Sequence, residues 1–153
     1  MSYGIKMSSK HILEYVVPPS EGLWDGGDAG IGGPTNKAKL TWTALIRQPD
    51  FVTAEILDAT RLALAKRKPS LDTTLARLET LTEGLCVQAL HVGSYDDEPA
   101  TIATMQSFAA DQGYAPDWSD GRRHHEIYLS DPRKTPVDKL KTILRHPVKP
   151  AIP

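Results

Sequence analysis

Residues 124–136 read His-His-Glu-Ile-Tyr-Leu-Ser-Asp-Pro-Arg-Lys-Thr-Pro, and they contain the side chains best suited to chemistry. From Glu126 to Ser130 the polarity alternates: Glu126, Tyr128 and Ser130 take one face, Ile127 and Leu129 the other. A period of two predicts a half-buried strand. Asp131-Pro132 closes it, because proline has no N–H to give to a ladder and biases the residue before it. Glu126 and Tyr128 then stand on one side, about 7 Å apart at the strand rise. A carboxylate beside a phenol is a base beside a hydroxyl donor, the pair that general acid–base chemistry needs. A solvent-facing Glu and Tyr would show the same spacing, so the pattern alone leaves both readings open.

His124-His125-Glu126 invites a metal reading. Adjacent strand residues point to opposite faces, however, so the two imidazoles do not readily join Glu126 around one ion, and no metal site is expected. His91 and His146 are lone strand histidines, read as structural. Cys86 lies in an apolar run with no activating base in view, which predicts a buried, inert thiol. Ser94 and Ser130 have neither a helical elbow nor an evident histidine partner. Asp25–Pro34 holds glycines at 26, 27, 30, 32 and 33. Their spacing fits no dinucleotide fingerprint, and no strand-to-helix context surrounds them. No cofactor is expected.

The composition narrows the function classes. The 153 residues are 40% hydrophobic and 24% charged, enough for one domain with a sizeable core. A net charge of −1 gives no electrostatic footprint for nucleic acid. The single cysteine excludes an intramolecular disulfide and a thiolate cluster. No apolar run approaches a membrane span, and the first ten residues lack a signal-peptide core. A cytoplasmic protein without membrane or nucleic-acid partners is the expectation.

The elements that must position Glu126 follow from periodicity and punctuation. His11–Val17 reads as a first strand stopped by Pro18-Pro19, and Leu40–Arg47 as a second, antiparallel to it across the glycine loop. Trp42, Ala44 and Ile46 share a face of the second strand. Asp50 is the expected N-cap of a helix over Phe51–Lys68, with Val52, Ile56, Ala59 and Ala63 on its apolar stripe and Pro69 at its end. Ala76–Thr80 has the makings of a short strand. Leu85–Val92, apolar on both faces, reads as a central covered strand. A helix follows Pro99, with Ile102, Met105, Phe108 and Ala109 inward and Gly113 at its C-terminus. Tyr114–Arg123 is a loop, and Thr135–Asp138 a short helical turn. Lys141–Val148 is a last strand, placed at an edge by the prolines from Pro147 onward.

Five blocks carry a family resemblance: Glu21-Gly22-Leu23-Trp24, Ile46–Thr53 (Ile-Arg-Gln-Pro-Asp-Phe-Val-Thr), Gly84–Gln88, His91–Pro99 and Glu126–Lys134. In this order, over most of residues 10–148, they resemble the gyrase-inhibitor-like (GyrI-like) small-molecule-binding domains. The likeness is greatest to a stand-alone branch similar to hydrolases that open the cyclopropane of DNA-alkylating compounds. The resemblance implies an α+β fold of two strand-helix-strand-strand modules, with antiparallel sheets, outer helices and a ligand groove between. Residues 1–153 then form one such domain, with 84–148 a complete second module and 1–50 a first module lacking its opening strand and helix. It also implies a pocket glutamate, which falls on Glu126.

Opening such a ring needs a base near the attacking water, a donor near the carbonyl oxygen that gains charge, and flat walls for a planar ligand. Glu126 is the candidate base. Tyr128 either orients the water or donates to the oxygen, or is a packed strand tyrosine. Trp24, Trp42 and Tyr15 are candidate stacking walls on the first module's strands, with Trp42 the one most readily explained as core. Tyr95 either lines the mouth or holds its turn. The ligand expected is a hydrophobic or cationic aromatic small molecule. In a non-catalytic relative Glu126 would be its counter-charge, making the protein a multidrug binder or sensor. The incomplete first module leaves an open strand edge, for which a homodimer is the expected solution.

Overall fold

The computed structural model describes residues 15–25, 41–119 and 121–151. The chain divides into two compact units, Met1–Ile46 with Glu83–Pro153, and Arg47–Thr82. The expected glycine loop and residues 11–14 of the expected first strand lie outside the described residues.

Among the described residues the larger unit is an antiparallel sheet with one α-helix. Its elements are β1 (Ser20–Asp25), β2 (Thr41–Leu45), β3 (Cys86–Val92), α2 (Glu98–Asp111), β4 (Tyr114–Pro116), β5 (His124–Tyr128) and β6 (Lys141–Pro150). The strand order is β2-β1-β5-β6-β3, with short β4 on the far end of β6. From β3 onward the chain runs strand, helix, strand, strand, apart from the added β4, so the fold is α+β. The smaller unit holds α1 (Ala54–Arg67). No helix among the described residues is long and apolar enough to cross a membrane.

The core lies between α2 and the sheet face that carries Glu126. Ile102, Met105 and Ala109 come from the helix, and Leu144 and Val148 from β6; all are buried. Each large side chain of this kind contributes about 1.5–3 kcal/mol when fully buried. The start of α2 follows the sequence: Ser94 caps a 3₁₀ turn over Tyr95–Asp97, and Pro99 occupies the first helical turn. Gly113 then takes a left-handed φ of 79° where the helix ends.

Several expectations are corrected. Among the described residues the first strand is Ser20–Asp25, after Pro18-Pro19, and residues 15–19 are in no strand. Proline cannot join a ladder on its donor side, so pairing begins past the diproline. Thr53, not Asp50, caps α1, its hydroxyl facing the Ile56 N–H at 3.5 Å. The half-buried stripe of α1 is Ile56, Leu57, Thr60, Arg61 and Leu64, while Ala59, Leu62 and Ala63 are exposed. Ala76–Thr80 forms no strand. β3 is an edge strand, not a central one, with Leu90 and Val92 half exposed. On α2, Phe108 is exposed.

The largest correction concerns β6, which lies inside the sheet between β5 and β3 despite Pro147. Val148 donates to the Leu85 carbonyl on the β3 side. Backbone direction alternates along a strand, so the missing N–H of Pro147 faces the other side, past the end of β5. There the Pro147 carbonyl still accepts from the Asp117 N–H at 3.0 Å. The proline costs the sheet no ladder bond.

Candidate functional site

Glu126 sits mid-sheet, paired across to Gly22 on β1 and Leu144 on β6. Only 8% of it is exposed. Alternation puts His124, Glu126 and Tyr128 on one face of β5 and His125 and Ile127 on the other. The Tyr128 phenol stands two residues along the same face, and the Glu126 carboxylate is among the groups that raise its pKa. The Trp24 indole N–H in turn donates to Tyr128 Oη at 3.1 Å. Gly22, facing Glu126, makes this meeting possible. A Cβ there would lie 3.0 Å from Tyr128 Oη and 3.1 Å from Trp24 Nε1.

A second hydrogen-bonded line reaches Glu126 along the strand. His124 Nε2 lies 2.9 Å from Glu126 Oε1, and His124 Nδ1 lies 2.7 Å from His146 Nε2 on β6. When Glu126 is a carboxylate, His124 Nε2–H is the donor to it. His124 Nδ1 then accepts from His146 Nε2–H, leaving His146 Nδ1 as a bare lone pair. That atom is indeed buried with no hydrogen-bond partner. Trp118 packs edge-to-face on His146, with centroids 4.9 Å apart. The carboxylate of Glu98, at the start of α2, joins the same buried cluster: donor atoms of Glu98, His124 and Glu126 all lie within 4.8 Å of one another.

The electrostatics are those of a covered, negative pocket. Burial pushes the Tyr128 phenol well up, reinforced by Glu126 and by the charge of Glu98, so it stays a donor. Burial raises Tyr95 as well, again with Glu126 and Glu98 adding. Tyr95 meets Tyr128 edge-on with centroids 6.1 Å apart. Burial, and secondarily His124, lowers His146 to about 3, which keeps that imidazole neutral. Burial raises the Cys86 thiol, so it is no activated nucleophile.

The structure therefore brings together Glu126, Tyr128, Trp24 and Tyr95. Trp42 joins through Trp24, stacked on it at 5.5 Å and 19°. At 54% exposed, Trp42 is not core, which corrects that reading; among the described residues it stands on the last strand of the sheet. Tyr15 lies ahead of β1, outside the ladder that aligns the others. Gly22, Glu98, His124 and His146 were missed. His124 was legible at two residues from Glu126; Glu98 carried no signal beyond an acidic helix start. A separate hollow of about 390 Å³ between β3 and α2, lined by Val87, Ala89, Met105 and Phe108 among others, includes none of these residues.

The opposite face of β5 carries a different cluster. His125, 1% exposed, places Nε2 at 2.8 Å from Glu21 Oε2 and Nδ1 at 2.8 Å from Glu83 Oε1. Arg145 takes the other oxygen of Glu83 and also binds Gln88.

Comparison with known proteins adds the following. Residues 49–149 match the GyrI-like small molecule binding domain. Three solved structures from Listeria innocua share the fold. A protein described as uncharacterized and conserved is 44% identical over 88% of this chain and 65% of its own, with a TM-score of 0.79. A hydrolase is 40% identical over 93% of this chain and 69% of its own, with a TM-score of 0.78. A further hydrolase structure is 40% identical over 93% of this chain and 70% of its own, at 0.77. The chain thus spans about two thirds of the length of the structures it resembles. No curated protein matches it.

Proposed function

Because this chain belongs to the GyrI-like small-molecule-binding domain family, we propose that it binds flat hydrophobic aromatic compounds and hydrolyses those bearing a strained cyclopropane, with Glu126 as general base. The observation that supports this most is the buried carboxylate of Glu126, hydrogen-bonded to His124 and flanked on its own face by the Tyr128 phenol. The hydrolase names of two similar structures favour catalysis. In the step, Glu126 takes a proton from water as the water oxygen bonds to a ring carbon. The cyclopropane C–C bond breaks, and its electron pair moves through the conjugated system to a carbonyl oxygen. Tyr128, which burial keeps protonated, supplies its one O–H as the donor for the oxygen that gains charge. The stacked Trp24–Trp42 pair is the candidate platform for the planar ligand.

The test is Glu126→Gln. The amide keeps the shape and cannot take the proton, so turnover of a cyclopropane-bearing alkylator to its ring-opened alcohol should fall about 100-fold or more. Ligand quenching of tryptophan fluorescence should persist. Near-normal turnover would remove Glu126 from the mechanism.

One observation favours a second reading, a non-catalytic binder or sensor of cationic aromatic compounds. Two carboxylates, Glu98 and Glu126, are buried side by side, an arrangement that attracts positive charge. Under that reading Glu126→Gln weakens cations and spares neutral ligands.

In either case we place the protein in the cytoplasm as a homodimer paired through β2. Among the described residues that strand borders only β1 in the sheet, and it exposes Trp42. Light scattering on dilute protein should give twice the chain mass, with an interface of at least about 1,000 Å²; a monomer would refute it.

A further inference from the structure

We propose that Glu98, His124 and Glu126 form a binding site for a divalent first-row transition metal such as Zn²⁺. The contiguous His-His-Glu run could not supply one, because His125 turns to the other face and is engaged by Glu21 and Glu83. The third ligand, Glu98, comes instead from the first turn of α2, well upstream in the chain, and the fold delivers it to the same point.

Four observations carry the site. All three side chains are covered, with 8%, 5% and 8% exposure for Glu98, His124 and Glu126. Solvated acidic clusters without an ion are common; a covered set of one imidazole and two carboxylates is the nitrogen–oxygen donor chemistry that first-row metals take. Their donor atoms lie within 4.8 Å of one another.

The His124 Nε2–Glu126 Oε1 distance is 2.9 Å. Two ligand atoms on a tetrahedral ion with bonds of about 2.1 Å stand about 3.4 Å apart, so an ion replaces the shared proton once the pair opens by about half an ångström. Finally, the other nitrogen of His124 is held by His146 Nε2 at 2.7 Å. That is how a metal-binding histidine is oriented, and the bond persists with its donor reversed when Nε2 takes the ion.

Three protein ligands leave positions open for water. With the ion bound, Glu126 is a ligand and not a free base, so metal and the hydrolysis proposed above compete for it. The site itself does not depend on that reaction.

The experiment titrates chelator-treated full-length protein with ZnCl₂ by calorimetry, and with Co²⁺ by its visible absorption. One equivalent should bind, with a Co²⁺ spectrum of a nitrogen–oxygen site. Glu98→Gln, isosteric and so expected to fold, and His124→Asn should each weaken Zn²⁺ binding at least about tenfold, with circular dichroism checking the fold of both. No saturable binding at millimolar Zn²⁺ overturns the proposal. So does one-equivalent binding that Glu98→Gln and His124→Asn both leave unchanged. Neither outcome involves turnover, so a failure of the hydrolase reading would be seen separately.

Discussion

Gly22 and Tyr128 compete for one point in space: a methyl group on Gly22 would stand 3.0 Å from the phenol oxygen of Tyr128. The contact joins the first strand of the sheet to the strand of Glu126. It makes a backbone position part of the site.

Gly22→Ala follows from it. Alanine in a strand interior is ordinarily favoured over glycine by roughly 0.5–1 kcal/mol. Here the added carbon must displace both Tyr128 Oη and Trp24 Nε1, and overpacking of this kind costs about 1–3 kcal/mol. The net expectation is a loss of about 1 kcal/mol in thermal unfolding, together with weaker ligand quenching. Trp24→Phe deletes the indole donor without adding volume. If it reproduces the binding defect, the hydrogen bond is the cause; an alanine variant as stable as the parent would mean the two rings give way freely.

His125→Ala should be among the most destabilising single changes in the larger unit. The imidazole stands between Glu21 and Glu83, which are only 17% and 23% exposed. Its removal leaves two covered carboxylates facing each other, and breaking such an arrangement costs about 3–5 kcal/mol. Adding Glu21→Gln to His125→Ala should recover part of the loss in urea unfolding. Additive effects would show that the two carboxylates do not feel each other.

Asp117 gives the acid limb of the stability curve. The Ser119 hydroxyl first, then Arg122 and Lys149, hold its carboxyl down at about 2. A depressed carboxylate stabilises the folded state above its unfolded pKa of about 3.9. That contribution fades as pH falls toward 2. Asp117→Asn should therefore melt below the parent at pH 7, and the gap should narrow below pH 4 and close near pH 2. A gap independent of pH would assign the loss to packing instead of charge.

Much of this was legible from residue types alone. The strand of Glu126 and Tyr128 declared itself by alternation, and α2 by its acidic start, its proline and Gly113. What stayed hidden was long-range. Gly22 looks like any loop glycine until β1 is laid against β5. Glu98 looks like a charge at the start of a helix until that end is placed over His124. Pro147 argued for an edge, because the sequence does not say on which side a partner strand stops. Trp42 read as core because alternation reports a face and not whether anything covers it.

The pairing of β1 with β5 also bears on how the protein comes into being. Trp24 and Tyr128 are separated by 104 positions in sequence, and the ladder around Glu126 needs β1, β5 and β6 together. Closing so large a loop is entropically expensive before any contact rewards it, and chains dominated by such pairings fold slowly. The helices and the neighbouring β5–β6 pair form from shorter-range contacts. The pocket should thus be the final thing the refolding chain acquires, with the indole signals of Trp24 and Trp42 lagging behind the gain of helix.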